Sequence, residues 1–255
     1  MFNARDLLGQ VMGAGITPST ESRAQHAVGS NGLGSAGSPL GGLLGNLAGV
    51  ASDALGSAKR GVEQNNPLAI GGLGALAGAV LGGSSGALQG GGLALLGSLA
   101  YAALNPKRGA AEPSAEEIAR NAPIEMRLPQ NAAEEAEQEE HANILLLAMI
   151  NAAKADGQVS PDEFQHISGK LKDVGAEEEG MAYMLGELQK PLDMNAMAAQ
   201  VQTPELAAEV YAASLLAIEV DTEAERDYLR RLAAALPLPA EAVPRLHQAL
   251  GVPPV

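Results

Sequence analysis

The 255-residue sequence contains no cysteine and no tryptophan, and its aromatic side chains are two Phe and four Tyr. Without cysteine there is no disulfide framework, no thiolate zinc site and no thiol nucleophile. Basic residues are also scarce. Sixteen Lys and Arg face thirty Asp and Glu, for a formal net charge of −14. Such a chain lacks the basic surface and the stacking aromatics of a general nucleic-acid binder, so no nucleic-acid partner is expected. The four histidines, His26, His141, His166 and His247, are scattered. No G-x-S-x-G, H-E-x-x-H or Walker motif occurs, and no enzymatic activity is expected.

Charge divides the chain. Residues 1–133 carry eight acids and eight bases, whereas 134–255 carry twenty-two acids and eight bases. Glycine is skewed the other way, with twenty-one of thirty-one glycines between Gly29 and Gly97. Residues 1–16 place Phe2, Leu7, Leu8, Val11 and Met12 near one face of a short amphipathic helix. That helix is marginal alone and suited to docking on protein or a membrane surface. It lacks the features of a cleaved secretory signal. Residues 17–42, rich in Ser, Gly, Thr and Pro, read as a flexible linker.

Residues 43–106 form a Gly-rich apolar region, with a helix expected over 43–62. No charge occurs between Glu63 and Lys107, and Gly74, Gly78, Gly82, Gly86 and Gly90 recur every four residues in glycine-zipper spacing. Membrane association through 67–106 is expected, as a hairpin of 68–83 and 87–104 or as a single span. The alternative is a Gly/Ala-rich segment that packs on protein. Lys59-Arg60 and Lys107-Arg108 flank the region and favour a hairpin with both ends cytoplasmic. Residues 107–133, interrupted by prolines, read as a second linker.

Residues 134–252 read as one all-α domain. Helices are expected near 134–155, 161–172, 177–189, 193–200, 204–219, 223–235 and 239–249, with no strand alternation anywhere. Ser160-Pro161-Asp162-Glu163 and Thr203-Pro204-Glu205 are helix-start signals. The acids from Glu134 to Glu140 are a solvated helix start, and Met181, Met184, Met194 and Met197 are core filler.

An internal echo links LLAMINAAKAD (146–156) to AASLLAIEVD (212–221). Each ends an apolar helix on an Asp, and a Glu follows near the start of the next helix. The pairs are Asp156 with Glu163 and Asp221 with Glu225. If the two corners pack about a pseudo-twofold axis, four carboxylates converge and attract a hard divalent cation such as Ca²⁺, Mg²⁺ or Mn²⁺. The competing reading is that these acids are ordinary caps and helix-dipole partners. His166, one turn from Glu163, is a possible further ligand, though a lone surface histidine is usually just solvated. DGQVSPDEF imitates the second half of an EF-hand loop. A true EF-hand would put Ala152 and Lys154 at its first two ligand positions, which excludes it.

AAKADGQVSPDEFQHI and AIEVDTEAERDYLRRLAAALPL together resemble the tellurite-resistance TerB-like helical domain, more closely its YebE-like branch (domain of unknown function 533). FNARDLLGQVMG and the Gly-rich GGLGALAGAVLGG and GGLALLGSLAYAAL are similar to that branch as well. The resemblance implies an all-α fold of two helical repeats, no enzymatic activity, and association with the bacterial inner membrane, with the C-terminal domain cytoplasmic. It also implies an acidic metal-binding surface, carried over to Asp156, Glu163, Asp221 and Glu225. The expected function is a non-enzymatic, membrane-associated protein whose helical domain binds a divalent cation or a protein partner, in envelope or metal-stress response. The alternative is a soluble scaffolding module without metal.

Overall fold

The computed structural model describes residues 3–13, 23, 26–27, 91–105, 124–126 and 129–255, apart from 158, 160 and 174. The expected helix over 43–62 and the glycine series from Gly74 to Gly90 lie outside the described residues. Among the described residues all regular structure is helical. Among these residues, two helices precede the C-terminal domain, α1 (Ala4–Gly13) and α2 (Gly91–Leu104), followed by a short 3₁₀ helix, η1 (Ile124–Met126). Then come α3 (Ala132–Ala153), α4 (Pro161–Asp173), α5 (Glu178–Gln189), α6 (Met194–Ala198), α7 (Pro204–Ala217), α8 (Glu223–Ala235) and α9 (Ala242–Ala249). These seven correspond to the seven expected from capping signals and periodicity.

Helix α7 is the hub. Its start is set by Thr203, whose Oγ1 accepts the Leu206 amide at 3.2 Å, and by Pro204 in the first turn. Every residue from Leu206 to Ala217 is buried, as expected of a helix apolar on all sides. It packs against α2, α3, α8 and α9. At its C-terminal end the Arg23 guanidinium donates to the carbonyls of Leu215 and Ile218, and to that of Glu219 at 2.7 Å. A cation on free helix carbonyls answers both their missing donors and the negative end of the dipole. Arg23 and Ala27 are buried, so part of the segment expected to be a linker lies on the domain.

Helix α2 is the main departure from expectation. Its apolar residues Leu93, Leu96, Leu99 and Ala100 belong to the same core as α3 and α7, and it packs on α1, α7, α9 and η1. Residues 91–104, expected to form most of the second arm of a membrane hairpin, have their apolar faces covered by protein. Among the described residues no helix is long and apolar enough to cross a membrane. A Cβ at Gly92 would lie 2.8 Å from Met12 Sδ and 3.4 Å from Gly9 Cα, so this glycine serves the close crossing of α1 and α2.

Helix α1 docks by burying Leu7, Leu8 and Val11 against α2 and α3. Arg5 donates to Gln138 Oε1 at 2.9 Å and pairs with Glu135 and Glu139 at 3.4 and 3.5 Å. Glu139 also accepts the Ala4 amide at the start of α1. Half-exposed ion pairs of this kind contribute little, so the leucines hold the helix in place. Lys154, at the end of α3, is buried and donates to the carbonyls of Glu187 and Lys190 at 3.0 and 3.1 Å, capping α5.

Leu8 and Leu96 have no exposed surface, so Leu8→Ala and Leu96→Ala should each destabilise the full chain by about 2–5 kcal/mol. Thermal unfolding of each variant should show one transition shifted as a whole. An unshifted main transition would mean that α1 and α2 are not part of this core.

Candidate metal centre

The acid at the middle of α7 has no counterpart in the corner motifs. Glu209 is 0% exposed, and neither of its carboxylate oxygens has a hydrogen-bond partner. It faces Glu125 of η1 and His141 of α3, and one ligating atom from each of the three lies within 4.8 Å of the others. Glu125 is buried too, and His141 keeps 19% of its side chain exposed. Three stretches distant in sequence thus converge on a small polar cluster inside an apolar core.

The elements that aim these side chains are fastened together. Asn131 caps α3, accepting the Ala133 and Glu134 amides at 3.0 Å each. One turn before His141, Gln138 donates to the Ile124 carbonyl at 2.5 Å. His141 Nδ1 stands 2.5 Å from Glu125 Oε1. Arg5 reaches Gln138 from the other side, so one chain of polar contacts runs from α1 through α3 to η1.

The electrostatics follow from burial. Burial pushes the Glu209 carboxyl well above the usual range, and the charges of nearby Glu125 and Glu205 push it the same way. Two ionised carboxylates offer only acceptors, so Glu125 satisfies Glu209 only with a proton or a cation between them. For His141, burial favours the neutral ring. The hydrogen bond and charge of Glu125, with Glu137 and Glu140, outweigh it and raise the value. A second buried histidine is differently placed. His247 Nε2 lies 2.9 Å from Tyr211 Oη and Nδ1 lies 2.7 Å from the Pro253 carbonyl. Burial lowers its pKa, which fits a neutral ring that holds the C-terminus.

The carboxylates expected at the corners are placed as follows. Asp156 and Asp221 are exposed, in the turns after α3 and α7. Glu225 is buried, and its Oε2 accepts the Asp221 amide at 3.1 Å and the Thr222 amide and hydroxyl at 2.9 Å each. With Thr222 Oγ1 accepting the Glu225 amide at 3.2 Å, this is a reciprocal cap of α8. Of the two readings of Glu225, capping is therefore the role its contacts describe. Val220, beside Asp221, has φ 61°, a strained value for a β-branched residue. Glu163 lies in the first turn of α4, but its side chain and that of His166 lie outside the described residues, so convergence of all four acids stays an expectation. Among the described residues the cluster of ligand-bearing groups is Glu125, His141 and Glu209.

The family described as protein of unknown function DUF533 matches residues 63–250. The chain belongs to the DUF533 family. DUF533 is TerB-like, which accords with the all-helical architecture, and the matched span contains Glu125, His141 and Glu209. A protein of Yersinia enterocolitica, described as an uncharacterized protein in the ampR 5′ region, is 30% identical over 120 residues, 47% of this chain and 86% of that relative. No solved structure matches this DUF533 chain.

The raised value at Glu209 has a definite sign in stability. A carboxyl whose folded pKa lies above its unfolded value of about 4.3 stabilises fully below that unfolded value and loses the contribution as pH rises through the folded one. His141, also raised, acts in the same direction. The metal-free protein should therefore lose stability with rising pH, and Glu209→Gln should remove most of that slope. On the alkaline side this variant should be the more stable by about 1–3 kcal/mol. Chemical denaturation in a chelating buffer at several pH values measures this, and parallel profiles for the two proteins would contradict it.

Proposed function

We propose that this protein is a non-enzymatic cation-binding protein of the bacterial inner membrane, whose helical domain holds a divalent cation between Glu125, His141 and Glu209. The observation that carries the reading is the fully buried Glu209 carboxylate with no donor on either oxygen, directed at a second carboxylate and an imidazole. A buried charge left unpaired costs several kcal/mol, and a cation offsets that cost. The spread of the three donors, within 4.8 Å, suits one ion, since ligands at about 2.0–2.5 Å stand at most about 4–5 Å apart. Loading replaces the proton that burial otherwise favours on the Glu209 carboxyl.

The membrane part of the proposal is supported by the uncharged run up to Gly90 and by the basic pair Lys59-Arg60 before it. With 91–104 committed to the protein core, the attachment falls to residues 67–90, and since α1 and Arg23 pack on the same core as the helices after residue 90, both ends of that segment lie on one side of the membrane, as in a re-entrant hairpin. Of the corner acids, the exposed Asp156 and Asp221, with Glu163, keep a proposed role as an acidic surface for a basic protein partner, while Glu225 is taken up by the cap of α8.

Full-length protein stripped with chelator and then titrated with MnCl₂ should gain thermal stability, by about 2.7 kcal/mol at a hundredfold excess over Kd. Glu209→Gln should abolish the gain and Asp156→Asn should not. An unchanged melting temperature at millimolar Mn²⁺ would end the cation reading. For the membrane reading, the full chain should remain in the pellet after carbonate washing of inner membranes, and recovery in the supernatant would contradict it.

A further inference from the structure

The cluster that the proposed function loads with a cation also has a composition, and composition discriminates among cations. Its donors are two carboxylates and one imidazole. Calcium takes 6–8 oxygen ligands in a flexible shell and rarely uses nitrogen. Even with both carboxylates bidentate, Glu125 and Glu209 supply only four oxygens. Magnesium sheds water reluctantly and keeps several waters in its octahedral shell. Glu209 is 0% exposed and Glu125 6%, so on the carboxylate side the cluster is closed to a hydrated ion. The imidazole side keeps some solvent access, at 19% of the His141 side chain. First-row transition ions accept mixed carboxylate and imidazole ligands at about 2.0–2.2 Å, with waters completing the shell where the site is open.

The positions are also held rather than adjustable. Glu209 lies on the most enclosed helix, and Glu125 is anchored through the Ile124 carbonyl to Gln138. A site fixed on three separate elements cannot expand readily to the larger calcium sphere.

We infer that the Glu125–His141–Glu209 centre is selective for a first-row transition dication of the manganese-to-zinc class, and against calcium and magnesium. This rests on the cation reading above and adds the ion class. The imidazole is the selecting donor, and the two carboxylates supply charge.

The test is calorimetric titration of the full chain, stripped with chelator, with MnCl₂, ZnCl₂, CaCl₂ and MgCl₂ in turn. Mn²⁺ and Zn²⁺ should bind at least about tenfold more tightly than Ca²⁺ and Mg²⁺. His141→Gln should narrow that gap, and Glu209→Gln should remove binding of all four ions. Binding of Ca²⁺ or Mg²⁺ as tight as that of Mn²⁺ and Zn²⁺ overturns the selectivity while leaving cation binding intact. Absence of binding by all four overturns the cation reading itself. A second measurement needs no variant: electron spin-echo spectra of the Mn²⁺-loaded wild-type protein should show modulation from an imidazole nitrogen. Their absence overturns the role of His141.

Discussion

A carboxylate with nothing to bond to, at the centre of the helix around which the bundle is built, is the constraint on which the rest of this structure turns. An apolar residue at position 209 would satisfy α7 as a core helix. A glutamate there requires something positive, a proton or a metal ion, and requires it at a place where, among the described residues, Glu125 and His141 offer the other ligand atoms. Buried polar clusters stabilise when complete and cost when partly satisfied. The occupant of this one therefore decides how firmly η1, α3 and α7 are held together.

The same constraint explains why α1, α2 and η1 belong with the C-terminal helices in one core. Glu125 is supplied by η1, which packs on α2 as well as on α3. Helix α2 in turn carries α1, through the close crossing at Gly92, and Arg5 of α1 returns to Gln138, which holds the Ile124 carbonyl. A loop of contacts thus closes around the polar cluster. The apolar character of 91–104 covers one side of α7, and Arg23 finishes that helix at its carboxyl end.

Much of the helical frame was legible in the sequence because it is written in short-range chemistry. Thr203-Pro204 marks a helix start through bonds within one turn, and the structure shows it; the Thr222–Glu225 box found at the start of α8 is of the same short-range kind. The capping reading of Glu225 was available from the same residues, while the echo of Asp156 and Asp221 drew attention to the corners. The buried cluster was not legible for the opposite reason, since its members meet only in three dimensions. Glu125 sits in a proline-interrupted stretch that reads as linker, and His141 ends a run of acids that reads as solvated. Glu209 left one signal, a lone acid in the apolar run LAAEVYAASLLA, which periodicity averages away. Helix α2 was ambiguous because lipid and a protein core select the same apolar residues.

The most direct measurement is an anomalous difference map from crystals of the full chain grown with Mn²⁺ or Zn²⁺, collected on either side of the metal absorption edge. The account predicts one strong peak between the carboxylates of Glu125 and Glu209 and the ring of His141, at about 2.0–2.2 Å from each. A map with no density at that point, and with the metal instead on Asp156 and Asp221, would contradict it.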